Sequence, residues 1–281
     1  MSGLTKIKPP KKARIGLYSA GLNTYWGQFE GLYDCLMGYN RFIEKRLSEW
    51  GEVFNFGMVD TEEKGREAGE FFNKNNVDIV FSHAATYYAS ATVLPVHQIN
   101  NAPVIILNLQ PTAEMAYDTT GTDRWLAQCV GCSIPEISNA FNRAGITFRA
   151  VNGLLGLTET PDFAKADEVT CERPEAVRAW KQIEEWCRAA AVKRNLRWAR
   201  FGFLGGYYSG MLDMYSDFTM LQAQTGMDIE VLEMSDLDAY LKTVTDAEVR
   251  DKLKEIQDFF EISGDSPSAP IAKKPTEEQL T

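Results

Sequence analysis

The chain has 281 residues, 44% of them hydrophobic and 24% charged, with a net charge of −10. That length accommodates two domains of ordinary size, and the acidic balance argues against a nucleic-acid surface, where a basic stripe is required. Residues 1–12 form a polar arm with four lysines and no apolar segment behind it, which argues against a secretory signal. No apolar run nears the ~20 residues that a membrane span needs, and the five cysteines, an odd number in a long chain, argue against a disulfide framework. A cytoplasmic chain that binds neither nucleic acid nor membrane is the expectation.

Residues 14–19 form a short apolar run after a basic lead and predict a first buried strand. A glycine-bounded turn, Gly21 to Gly27, follows. Phe29, Leu32, Tyr33, Leu36, Met37, Phe42, Ile43 and Leu47 then recur at three- and four-residue spacing, which predicts a long amphipathic helix. Strands over 53–59, 77–82 and 104–109 alternate with helices over 61–75 and 88–100. This β-α alternation predicts an α/β fold, a Rossmann-like open parallel sheet with helices on both faces. Helices over 122–128 and 135–145, a strand over 147–151 and a long helix over 173–193 complete an N-terminal domain of residues 13–195.

The pattern restarts near residue 196. A strand over 198–204, a glycine turn, a helix over 211–225, a strand over 229–233 and helices over 237–243 and 246–260 predict a second α/β domain, residues 196–262. Two strands are too few for a sheet of its own, so that domain reads as incomplete. Residues 263–281 read as linker and tail. They end on Pro275-Thr276-Glu277-Glu278-Gln279, a helix start in which Thr276 caps and Gln279 is its capping-box partner. The expectation is the front part of a longer polypeptide or a subunit completed by another; a polar tail is the alternative.

In open parallel sheets ligands sit beyond the carboxyl ends of the strands. Four loops fall there: 20–26, 82–88, 109–112 and 202–211. Neutral hydrogen-bonding groups and aromatic rings dominate them, and His83 alone titrates near neutrality. Such a lining suits an uncharged polyhydroxylated ligand such as a sugar, although turns use the same residue types for their own geometry. Gly202, Gly205 and Gly206 follow a strand and precede a helix, but their spacing is not that of a phosphate loop. Cys129 and Cys132 form a single C-x-x-C without a second ligand pair, and two buried thiols are expected. His97 lies inside a helix and reads as structural. Asp213 and Asp217 stand four apart on a predicted helix face and, with Glu230, are the carboxylates an independent enzyme would use.

The stretch Gly16 to Gly27 resembles the opening strand and loop of the L-arabinose isomerase and L-fucose isomerase superfamily. Val77 to His83 is similar to that family's third strand, which also ends in histidine, and Val104 to Gln110 to its fourth, ending in glutamine. Arg200-Phe201-Gly202 resembles the entry to its central domain. The resemblance runs in order along nearly the whole chain and is strongest to divergent arabinose isomerase-like proteins.

It implies a metal-dependent aldose–ketose isomerase acting on a pentose or deoxyhexose. A divalent metal, usually manganese, is held by glutamates and histidines, and two glutamates move a proton between C1 and C2. Those residues belong beyond the matched stretch, so this chain alone is expected to hold no metal and no catalytic residue. What carries over by position is a substrate rim: Asn23, Tyr25, Trp26, His83 and Gln110, with Met211 in a loop that departs from the arabinose enzymes. The implied partners are a neutral sugar and either further copies in a homo-oligomer or a complementary C-terminal subunit. A sugar-binding or sensing module without chemistry is the competing reading.

Overall fold

The computed structural model describes residues 10–128, 130–160, 169–207, 210–211, 215–262, 264–265, 268 and 273–280. The chain divides into two compact units, Met1–Trp198 and Ala199–Thr281.

The first unit alternates strand and helix: β1 (Ala13–Ala20), α1 (Leu32–Leu47), β2 (Gly51–Val59), α2 (Glu62–Lys74), β3 (Ile79–Ala84), α3 (Ser90–Ile99) and β4 (Val104–Gln110). Then come α4 (Thr122–Gln128), α5 (Ile134–Arg143), β5 (Phe148–Leu154) and α6 (Pro174–Leu196). The strands form one parallel sheet in the order β2-β1-β3-β4-β5. This is the Rossmann-like architecture expected from the alternation, and its order reverses between β1 and β3. In open sheets the loops of two such strands part at the carboxyl ends, where ligands gather.

Strand residues alternate between two cores. Ile15, Leu17, Ile79, Phe81, Ile105 and Leu107 pack with Leu32, Leu36 and Ile43 of α1 and Trp180 and Ile183 of α6. Tyr18, Ala20, Val80, Ala84 and Ile106 face the opposite way, with Phe72 of α2, Val93 and Val96 of α3 and Phe141 of α5. Burial on both faces is why these strands read as continuous apolar runs. Gly65 and Gly69 let α2 lie close against α3: a Cβ on Gly65 would stand 2.4 Å from the Thr92 carbonyl oxygen. The start of α2 follows from Thr61, whose hydroxyl accepts the Lys64 N–H at 3.2 Å, with Glu62 and Glu63 in the first turn.

One irregularity escapes the sequence. The β1–β2 register shifts between Leu17 and Tyr18, opposite a bulge that places Gly57 at φ 93°. The Asn55 side chain accepts the Gly57 N–H at 3.0 Å and so fixes the bulge.

The second unit contains β6 (Arg200–Leu204), α7 (Phe218–Thr225), β7 (Asp228–Leu232), α8 (Met234–Leu241), α9 (Asp246–Phe259) and α10 (Glu277–Leu280). β6 and β7 pair in parallel from Arg200↔Asp228 to Leu204↔Leu232. The helix expected over 211–225 is shorter. Asp217 is its N-cap, accepting the Met220 N–H at 2.9 Å, and Gly226 ends it in the left-handed conformation. Asp217 is therefore a cap and not an interior helix residue, and Asp213 lies outside the described residues. Among the described residues, the first helix after Gly206 is α7. α9 starts from a reciprocal capping box of Thr245 and Glu248. Thr276 and Gln279 make the expected one: Gln279 Oε1 accepts the Thr276 N–H at 2.9 Å, and the Thr276 hydroxyl accepts the Gln279 N–H at 3.3 Å. Among the described residues of this unit, Leu253 is the only buried hydrophobic one. No helix among the described residues is long and apolar enough to cross a membrane.

Candidate functional site

The loop after β1 folds back over the carboxyl end of β2. Gly21 N–H donates to the Val59 carbonyl at 3.1 Å and Asn23 N–H to the Asp60 carbonyl at 3.3 Å. A short 3-10 turn, Asn23–Tyr25, then sets Trp26 against the sheet edge. Gly21 eases that approach: a Cβ would stand 3.0 Å from both the Trp26 ring and the Met58 sulfur, so one of them would have to give. The indole Nε1–H donates to Asp60 Oδ2 at 2.7 Å, and the other carboxylate oxygen lies 2.8 Å from Lys64 Nζ. Asp60 is only 3% exposed, so the indole is held by a charge-assisted bond shielded from water. Tyr33 of α1 meets the Trp26 ring edge to face at 5.2 Å, and Phe29 packs behind Tyr25 at 6.2 Å.

These groups wall an open cleft of about 690 Å³, lined by Trp26, Phe29, Tyr33, Glu30, Asp34, Asp60 and Lys64 together with Gly27 and Gly31. The volume falls within the range of small-molecule sites. Its chemistry is two-sided. Rings offer apolar faces, and carboxylates and an ammonium offer acceptors and donors.

Of the residues expected on a substrate rim, Trp26 lines this cleft, and Asn23 and Tyr25 belong to the same turn. Partial burial first, and then the neighbouring Tyr87 hydroxyl, raise the Tyr25 pKa above its ordinary value, so the loop after β3 stands close by. His83 is not on the rim. It is 1% exposed, and its Nδ1 shares a 2.8 Å hydrogen bond with the Ser19 hydroxyl. Asn40 of α1 donates to that hydroxyl at 2.9 Å, and Asn55 Nδ2 donates to both Asn40 Oδ1 and Glu44 Oε2. This chain of side chains ties β1, β3, α1 and the β2 bulge together beneath the loops. Burial lowers the His83 pKa to about 3, so the ring is neutral at physiological pH. Gln110, half-buried at the end of β4, has its carbonyl bonded to Leu155 N–H at 2.7 Å and its amide beside Gly131. Met211 is half-exposed in the second unit.

Asp60, Lys64, Glu30 and Asp34 lie outside the four loops that the sequence singles out: Glu30 and Asp34 come after the first loop, at the start of α1, and Asp60 and Lys64 follow β2, where the turn is very short. It is a single residue, Asp60, between strand and N-cap. Its position was the available signal: an acid at a strand's carboxyl end that also opens a helix.

Cys132 corrects the expectation of two buried thiols. It is exposed and disulfide-bonded, next to α5, whereas Cys35, Cys171 and Cys187 form no disulfide; Cys129 lies outside the described residues. His97 is structural as expected: it is buried in α3, its Nε2 is 3.0 Å from the Tyr18 hydroxyl, and its ring meets Phe141 edge to face. Glu230 is ion-paired with Arg200 across β6 and β7. Among the described residues no three His, Cys, Asp or Glu side chains stand close enough to hold a metal ion.

No family model and no curated protein matches the chain. Among solved structures, it is similar to a candidate acylhydrolase from Bacteroides fragilis NCTC 9343 at 12% identity and a TM-score of 0.33, over 66% of this chain and 92% of that one. A likeness of that order carries no argument about activity.

Proposed function

We propose that the first unit supplies the sugar-binding rim of an aldose–ketose isomerase of the arabinose and fucose isomerase type, acting on a pentose or deoxyhexose. One observation carries the reading: Trp26 is locked by the buried Asp60 carboxylate at the wall of a cleft that pairs rings with carboxylates. A sugar presents C–H faces and hydroxyl edges. Trp26 and Tyr33 offer rings to the first, while Glu30 and Asp34 accept from the second and Lys64 donates. Because Asp60 holds the indole before a ligand arrives, little ordering entropy is lost on binding.

The described residues do not fit a manganese site, so no step through a metal and no proton transfer is assigned to them. In this reading a divalent metal and the proton-transfer glutamates come from a complementary C-terminal segment or subunit. His83, held neutral, positions β1 against β3 and moves no proton. A sugar-binding module without chemistry is the second reading, and the same cleft favours it equally.

The test has two stages. Pentoses and 6-deoxyhexoses are titrated calorimetrically into the chain and into Trp26→Ala, and saturable binding lost in the variant is expected. Aldose–ketose conversion is then followed with manganese, for the chain alone and mixed with the polypeptide encoded immediately downstream. Conversion only in the mixture supports the isomerase; binding without conversion in either supports the module. Binding that Trp26→Ala leaves intact, or no sugar binding at all, sinks both.

A further inference from the structure

A second hollow lies at the opposite end of the sheet, where β1 and β2 begin. It is open, measures about 560 Å³ and is lined by Lys11, Lys12, Arg14, Arg194, Glu52 and Gly51. We infer that it binds a multiply charged anion of the phosphate or phosphate-ester class.

The cations are held in place by the fold. Arg14 Nε donates to the Asn75 carbonyl at 2.7 Å, its guanidinium lies over the Phe54 ring at 4.3 Å, and Nη1 is 3.4 Å from Glu52. Arg194 of α6 reaches Asp78 at 3.2 Å, and Asp78 also accepts the Arg14 N–H at 2.8 Å. The Lys11 main chain is clasped on both sides by Asn195, whose Oδ1 accepts its N–H and whose Nδ2 donates to its carbonyl, each at 2.8 Å. The Lys11 ammonium sits 4.3 Å over the Trp198 ring. Two separate segments, residues 11–14 and α6, thus bring positive charge to one hollow, with Lys11, Arg14 and Arg194 already held by the fold.

Four cations face two carboxylates, Glu52 and Asp78, a local excess of two positive charges in a chain whose net charge is −10. Asp78 is committed to Arg194 and the Arg14 amide. Glu52, on an exposed edge, is a weak competitor, since such a pair is worth little in water. Lys12 forms no ion pair with any of the described residues. Two fixed guanidinium groups match the geometry of phosphoryl oxygens, and flanking ammonium groups supply point charge. The volume admits more than a lone orthophosphate. The competing account is local: the cations serve only to neutralise Asp78 and Glu52 and, for Arg194, to favour the carboxyl end of α6.

Inorganic pyrophosphate titrated calorimetrically into the full chain separates the two. One saturable site is expected, weakening as salt rises. Lys12→Gln, which breaks no ion pair among the described residues, should weaken it roughly tenfold, the loss of one charge-assisted bond. Glu52→Gln removes the competing carboxylate and should tighten it. The double variant Arg194→Gln/Asp78→Asn leaves neither charge stranded and should also weaken it. The inference is overturned if pyrophosphate gives no saturable heat, or if it binds with an affinity that these substitutions leave unchanged.

Discussion

Acidification from pH 7.5 to 5.5 should loosen the first unit through its two buried histidines. Both pKa values fall from the ordinary 6.5 to about 3 because burial penalises the charged ring. In the folded unit each ring stays neutral down to about pH 3, whereas in the unfolded chain each takes up a proton below pH 6.5. The unfolded state therefore binds more protons throughout that window, and stability falls as pH falls. With these pKa values, each ring costs about 1.4 kcal/mol between pH 7.5 and 5.5, and the pair nearly 3 kcal/mol, on the order of a quarter of a typical domain's stability. Most carboxylates have not begun to titrate at pH 5.5, which isolates the effect. Native-state hydrogen exchange of the β1 and β3 amides reads it directly, without requiring the two units to melt together. His97→Gln should halve the pH dependence. A change in protection below about 0.5 kcal/mol would refute the reasoning, because it would mean that the rings charge inside the folded unit.

Asp60→Ala removes a charge-assisted bond to Trp26 and should cost about 2 kcal/mol in urea denaturation; Asp60→Asn, which can still accept from the indole, should cost about half as much. Gly65→Ala drives a methyl group to 2.4 Å from the Thr92 carbonyl oxygen and should cost about 1–3 kcal/mol by the same measurement; a neutral result would show that α2 and α3 can separate freely. Thr245→Ala breaks the capping box of α9 and should lower protection of that helix by about 1 kcal/mol, with β1 amides unaffected.

The elements most legible from the sequence are those whose local pattern and tertiary environment agree. β1, β3 and β4 are buried on both faces, so their apolar runs are continuous and need no periodicity to be found. α6 shows Trp180, Ile183 and Cys187 at helical spacing because one stripe meets the sheet. The β2 bulge is illegible, since the side chain that fixes it, Asn55, is fixed in turn by Asn40 and Glu44 from a different element. The start of α7 is misplaced by sequence because apolar residues from Met211 onward continue a helical rhythm. The backbone instead begins the helix where Asp217 can cap it.

The site divides along the same physical line. Trp26 is legible because a glycine-bounded turn after a buried strand must carry its large side chains to the sheet edge. Asp60 is not, because its role depends on a ring 34 positions away folding onto it. His83 shows how a positional rule can be right about the strand and wrong about the side chain. It does end β3, where ligands of such sheets gather. But strand residues alternate, and Ile79 and Phe81 point into the α1 core. His83 is two residues beyond Phe81 and follows the same face, which brings it to Ser19 of β1 beneath Asn40. The two-residue period of the strand, carried from Ile79 through Phe81, is enough to turn that ring inward. A residue free to line the cleft must then come from the chain after the strand, as Trp26 does after β1.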